Sequence, residues 1–243
     1  MPTVIFVRHG RSSANASGVL AGWTPGIFLD PVGQEQAVAV GARLASAQLP
    51  IVEVVSSPLD RCVQTADQIV AALPGVARSV ADGLGECHYG GWTGRPLAEL
   101  AKDELWRTIQ DRPSQARFPD SESYAAESLA EMQDRALESV RDIDARIAAT
   151  HGCDVVWVAV SHGDVIKSIL ARAAGAHLDD FQRLHVDPAS VSVVRYTSTR
   201  PFVLRLNDVG GDLSGLRPPP TGAAGQGDAV VGGGAGSSVR VEP

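Results

Sequence analysis

Two histidines, two arginines and one glutamate in this chain have the types and settings that phosphoryl transfer needs. His9 and His162 each stand just beyond an apolar run and just before a glycine, in Arg8-His9-Gly10 and Ser161-His162-Gly163. An imidazole nitrogen without its proton is a nucleophile toward phosphorus, and the phosphoramidate it forms is readily hydrolysed. A second imidazole would stabilise the equatorial oxygens of the transferring group. Arg8 and Arg61 carry planar forks that grip tetrahedral oxyanions through paired hydrogen bonds, and Asn15 adds a neutral donor. Glu86 sits in a glycine-dense stretch and would protonate a leaving oxygen once burial or a neighbouring phosphate raised its pKa. Each residue alone has a plainer reading: a hydrogen-bonded structural histidine, a surface cation, a solvated acid. The chemistry requires that they converge.

Convergence depends on the elements that carry them. Val4 to Val7 is a run of β-branched and aromatic residues suited to a strand buried on both faces, and Gly10 marks the turn that follows. Ile51 to Val55 is a second apolar run, stopping at Ser56-Ser57-Pro58 before a helical pattern through Cys62, Ala66, Ile69 and Leu73. Asp154 to Val160 is the strongest strand pattern in the chain and is expected at the sheet centre, with Asp164 as the N-cap of the next helix. Between these runs, apolar positions recur at helical spacing from Gln34 to Ala47 and from Leu129 to Ile147. Val76 to Ala81 reads as a short strand, Leu97 to about Pro119 as a partly helical cap, and Ser190–Tyr196 with Phe202–Leu206 as a hairpin at a sheet edge. The order predicts an α/β fold: a mostly parallel central sheet with helices on both faces, a small cap insertion and a C-terminal antiparallel edge hairpin. Three strands then end at Arg8-His9, near Arg61 and at His162. In open α/β sheets ligands bind beyond the carboxyl ends of the strands.

Composition narrows the partners. With 243 residues the chain can bury a full core, and its formal net charge of -7 argues against nucleic acid or an anionic membrane as a partner. The longest apolar run, Val155 to Val160, is too short to span a bilayer, and the start of the chain lacks the pattern of a signal peptide. A cytoplasmic protein is expected, of open oligomeric state. Cys62, Cys87 and Cys153 are widely spaced and odd in number, so reduced core thiols are expected rather than a disulfide framework or a zinc site. Residues 209–243 contain ten glycines and four prolines with only isolated apolar residues, and read as a disordered extension of the domain spanning 1–208.

Taken together, these motifs resemble those of the histidine phosphatase superfamily, also called the phosphoglycerate mutase-like family. Arg8-His9-Gly10 with Ser12 and Asn15 is similar to its opening motif, in which the histidine is the phosphorylated nucleophile. Ser56-Ser57-Pro58 with Arg61, Thr65 and Ala66 resembles its phosphate-gripping motif. Glu86 with Tyr89, Gly90, Trp92 and Gly94 resembles the segment bearing the proton donor, and Ser161-His162-Gly163 the one bearing the second histidine. The resemblance runs from about Pro2 to Asn207. It implies a metal-independent, cofactor-free phosphatase acting on a small phosphorylated metabolite, with His9, Glu86 and His162 catalytic and Arg8, Asn15 and Arg61 binding the substrate. Arg11 stands where the family commonly has Glu, Pro119-Asp120-Ser121-Glu122-Ser123 lacks the glycines of the corresponding family segment, Arg112 is followed by Pro113 rather than by a second arginine, and Asp164 replaces the asparagine usual in mutases. The last two differences favour a phosphatase over a phosphoglycerate-type mutase. A non-catalytic phospholigand-binding protein would carry the same pocket without turnover. A metal site built on His9, His88 and His162 is a further reading, although their spacing matches no metal motif.

Overall fold

The computed structural model describes residues 1–211 and 229–236. The six-stranded sheet has the order β3-β2-β4-β1-β5-β6, built from β1 (Thr3–Arg8), β2 (Ile51–Ser56), β3 (Ala77–Val80), β4 (Val156–Ser161), β5 (Val191–Arg195) and β6 (Phe202–Asp208). The first four strands are mutually parallel, and β5 and β6 continue the sheet as an antiparallel hairpin beside β1. As the apolar run from Val155 to Val160 implied, β4 lies inside the sheet between β2 and β1, and it is buried along its whole length.

Alternation along the strands divides the core in two. Val4, Phe6, Trp157 and Ala159 face one layer, while Ile5, Val7, Val158 and Val160 face the other. The first layer includes the apolar stripes of α6 (Leu129–His151) and α7 (Gly163–Ala173). The second is covered by α2 (Pro31–Ser46) and α3 (Asp60–Ala72). The cap, carrying α4 (Leu97–Leu100) and α5 (Glu104–Asp111), adds Trp106 and Phe118 to the first layer, where they meet Trp92 of the preceding glycine-rich loop.

Strand register brings the chemistry together. Arg8 pairs with Ser161 across β1 and β4, and Ser56 pairs with Val160 across β2 and β4, so three strand ends stand side by side. The loop leaving β1 runs tightly against the start of α2. A Cβ on Gly10 would overlap the carbonyl of Gly33, and a Cβ on Gly33 would overlap that of Arg11, so glycine is required on both sides of the crossing. Ser12 then caps α1 (Ser13–Ser17), a short helix within the stretch expected to be a loop.

Other local expectations need correcting. The N-cap of α7 is His162, whose side chain makes no capping hydrogen bond, and Asp164 lies buried inside the helix with its carboxylate bonded to Tyr89. The helix expected from Gln34 starts earlier, because Asp30 caps it and Pro31 occupies its first position. Cys62 and Cys87 are buried as expected, but Cys153 is exposed beyond the end of α6. Among the described residues no helix is long and apolar enough to cross a membrane.

Candidate active site

The turn after β1 presents His9 with a defined proton. Its Nδ1 lies 2.7 Å from the carbonyl oxygen of Gly10, an acceptor only, so Nδ1 carries the hydrogen and Nε2 keeps its lone pair. Burial lowers the pKa of His9 well below the usual imidazole value, and the charges of Arg61 and Arg8 lower it further. The ring is therefore neutral at pH 7. Gly10 N–H donates to Thr65 Oγ1 at 3.1 Å, tying the turn to α3.

Arg61, on the first turn of α3, faces the same nitrogen. Its Nε lies 3.3 Å from His9 Nε2 and its Nη2 donates to the Gly22 carbonyl at 2.9 Å, while Nη1 is buried without a partner. Arg8 lies beneath, fully buried. Its Nη1 donates to Val186 O at 2.9 Å and its Nη2 to Gly234 O at 2.5 Å, leaving Nε as a second buried unpaired donor. Burial lowers the pKa of Arg8 to about 10, which still leaves it charged at neutral pH.

His162 stands edge-on to His9, with ring centroids 5.2 Å apart. Its Nε2 lies 2.8 Å from Ser57 Oγ and its Nδ1 lies 3.7 Å from Glu86 Oε2. Burial, followed by the charge of Arg61, lowers its pKa well below the usual value. Glu86 shows the opposite effect of the same burial. Its carboxyl is pushed up to about 7, by burial first and by the neighbouring Asp164 second. A group poised there can act as acid and as base near neutrality.

The glycine-rich loop needs an anchor to hold Glu86 in place. Arg135 of α6 supplies it, donating to the carbonyls of Gly83, Gly85 and Glu86 at 2.8–3.0 Å while its charge is met by Glu127 at 2.6 Å. Trp23 Nε1 also donates to Glu86 O, at 2.7 Å, and stacks on His88 with centroids 4.5 Å apart. Neither Arg135 nor Trp23 was evident from sequence. Arg135 lies on the mixed, polar side of an amphipathic helix, and nothing in its spacing sets it apart from its charged neighbours.

All six expected residues come together. His9, Asn15, Arg61 and Glu86 line one cleft, with Arg8 and His162 packed behind it. Asn15 reaches it from α1, its Oδ1 accepting from Ser12 N and Oγ at 3.0 and 2.9 Å, which leaves its amide N–H groups as the remaining donors. His88 is stacked on Trp23 instead, and among the described residues no three His, Cys, Asp or Glu side chains group as a metal site would need.

The arrangement offers a neutral imidazole nitrogen, two guanidinium groups with unpaired buried donors, and a carboxyl that titrates near neutrality. Such a set binds a tetrahedral anion and supplies both a nucleophile and a proton donor.

Comparison with known proteins gives a family and a set of related structures. The model of the histidine phosphatase superfamily, branch 1, matches residues 4–209. A 2,3-bisphosphoglycerate-dependent phosphoglycerate mutase of Thermobifida fusca is 30% identical over 232 residues, covering 86% of this chain and 88% of the relative. Among solved structures, YhfR of Bacillus stearothermophilus superposes with a TM-score of 0.74 at 23% identity, over 86% of this chain and 98% of that one. A phosphoserine phosphatase of Entamoeba histolytica, solved with phosphoserine, superposes with a TM-score of 0.70 at 23% identity, again over 86% and 98%.

Proposed function

The chain belongs to the histidine phosphatase superfamily, and on that footing we propose that it hydrolyses phosphomonoesters through a phosphohistidine at His9. The observation that carries this reading is the unpaired buried donor Arg61 Nη1 in the same cleft as a neutral His9 whose Nε2 lone pair is free of a proton, with Arg8 Nε a second unpaired donor packed behind the cleft. A buried donor left unpaired is costly, and a phosphoryl group in the cleft would pair with Arg61 Nη1.

The geometry supports the following steps. The phosphoryl oxygens are held by Arg8, Arg61 and the amide of Asn15, with the neutral His162 backing the site. His9 Nε2 attacks phosphorus in line while protonated Glu86 gives its hydrogen to the departing alkoxide. Water then cleaves the N–P bond, with Glu86, now ionised, taking the proton of the attacking water. His162, held by Ser57, keeps its ring edge-on to His9 throughout.

Phosphomutase activity is the second reading, motivated by the identity shared with the Thermobifida fusca mutase. A bisphosphoglycerate carries two phosphates and a carboxylate and calls for several cations. Among the described residues Arg61 is the one arginine that lines the cleft, with Arg8 buried behind it, and no lysine lines it. That favours hydrolysis. A screen of phosphorylated metabolites, run with and without a bisphosphate primer and with His9→Ala as blank, separates the readings. Primer-independent release of inorganic phosphate supports the phosphatase, and primer-dependent isomerisation supports the mutase. Tight phosphate binding without turnover of any substrate would leave a binding protein.

A further inference from the structure

The glycine-rich segment near the end of the chain lies on the site. We propose that residues Ala229–Gly236 form one wall of the substrate pocket and steady Arg8 within it, closing the pocket around the organic part of a phosphomonoester that carries no further charge. This rests on the phosphomonoester reading above and adds the substrate class and an element that reading does not use.

The contacts reach both sides of the site. Gly234 O accepts from Arg8 Nη2, and Gly232 N–H donates to Asp164 Oδ2 at 2.8 Å, next to the hydroxyl of Tyr89 on the same oxygen. Ala229 pairs reciprocally with the side-chain amide of Gln110 in the cap, both distances being 2.9 Å, which ties the segment to the cap. Val231 is buried in the same core layer as the cap, although the composition of this stretch offered no core. The remainder of the glycine-rich extension lies outside the described residues.

The conformation explains the glycines. Gly232 and Gly233 have φ of +73° and +77°, in the left-handed region that side chains rarely adopt. A Cβ on Gly233 would stand 3.2 Å from Arg8 Cζ and from the Cα of Gly163, and one on Gly232 would stand 2.9 Å from Leu20 Cδ1. Only a chain without side chains can lie this close to the guanidinium. The carbonyl oxygen of Gly234 then becomes a fixed partner of Arg8, holding the fork behind the cleft.

The wall also shapes what else can enter. Val231 and Gly232 line the cleft together with Val19, Leu20 and Leu97, and Gly232 packs against Leu20, so beyond the phosphate-binding groups and Ser12 the lining is apolar and backbone. A carboxylate or second phosphate on the substrate would lose its hydration there without meeting a cation. A neutral organic group loses little.

The test uses full-length protein carrying Gly233→Val, which cannot keep the turn, and Gln110→Ala, which releases the start of the segment from outside the pocket. Calorimetry with inorganic phosphate reads the site without requiring turnover. The expected result is phosphate binding weakened roughly tenfold in Gly233→Val and about threefold in Gln110→Ala, from the loss of a hydrogen bond to a charged group and of a neutral pair respectively. Hydrolysis of neutral alkyl monophosphates against 3-phosphoglycerate should show the full-length protein preferring the neutral esters, and the preference falling in both variants. Phosphate bound as tightly or more tightly by both variants would overturn the proposal, showing that the segment competes for Arg8 instead of steadying it. No phosphate binding by the unaltered protein, or a preference for the charged ester, would overturn it as well. If the phosphate shifts appear but no ester is hydrolysed, the wall stands and the phosphatase reading falls.

Discussion

The two halves of the site are built differently. Arg8, His9 and His162 stand at strand ends aligned by sheet register, and Arg61 follows close behind the end of β2. Glu86 and Gly234 arrive on a loop and a glycine-rich segment, held through their backbone carbonyls by Arg135 and Arg8, and Asn15 arrives on the short helix α1, its Oδ1 held by the cap residue Ser12. On the proposed reading the first half fixes the phosphoryl group and the nucleophile, whose positions tolerate little error. On the same reading the second half places the proton donor and the walls that meet the variable part of the substrate. A superfamily can keep the first half constant and alter its substrates through the second, because changing a loop leaves the register of the sheet intact.

Substitutions that break the strand-end half should cost most. His9→Ala removes the nucleophile, and turnover should fall by at least about 10⁴-fold in a phosphate-release assay. Arg61→Ala removes an unpaired donor and a partner of His9 Nε2 together, and kcat/KM should fall by about 10²–10³-fold, with Lys restoring only part because a point charge cannot replace the fork.

Loop-half substitutions should act on proton transfer and scale with the leaving group. Glu86→Gln should lower kcat by about 10²-fold for alkyl phosphates and much less for p-nitrophenyl phosphate, whose leaving group needs no proton. In the unaltered protein kcat/KM should decline as pH rises through about 7, since the raised pKa of Glu86 sets the loss of its acid form, and Glu86→Gln should abolish that limb. Arg135→Met should reduce kcat about tenfold by freeing the Glu86 loop, with KM for the phosphate group nearly unchanged. A change confined to KM would show that Arg135 acts on binding instead.

The last effect is on stability rather than on rate. A carboxyl whose folded pKa lies above its unfolded value binds more protons in the native state, so stability is lost as pH rises from the usual carboxylate range through about 7. Glu86→Gln should therefore be more stable than the unaltered protein at pH 8, by up to about 3 kcal/mol, with the gap closing toward pH 5. Chemical denaturation at the two pH values checks this. A constant difference would place the raised pKa elsewhere.

The same division explains how much of the molecule is legible in the sequence. Val4–Val7 and Val155–Val160 announce buried parallel strands through continuous apolar runs, so their ends, and with them Arg8, His9 and His162, are placed by the residues alone. Glu86 is found through its motif rather than its local pattern, since nothing in a glycine-rich stretch states where it will lie. Arg135 and Trp23 escape a reading of the sequence because they act through backbone carbonyls distant along the chain. The Gly232–Gly234 turn escapes it because a segment poor in apolar residues reads as unstructured, and its fit to Arg8 depends on the absence of side chains rather than on their presence. Asp164 reads wrongly as a cap because an acid early in a helix usually is one; here it is drawn inward by Tyr89, Lys167 and Gly232.

The most direct test of the account is to quench the protein during turnover of a phosphomonoester and locate the phosphate by phosphorus NMR and peptide mapping. The account predicts an acid-labile, alkali-stable phosphoryl group on Nε2 of His9, absent from His9→Ala and accumulating in Glu86→Gln when p-nitrophenyl phosphate is the donor. Phosphate on any other residue, or turnover with no phosphohistidine at all, would contradict it.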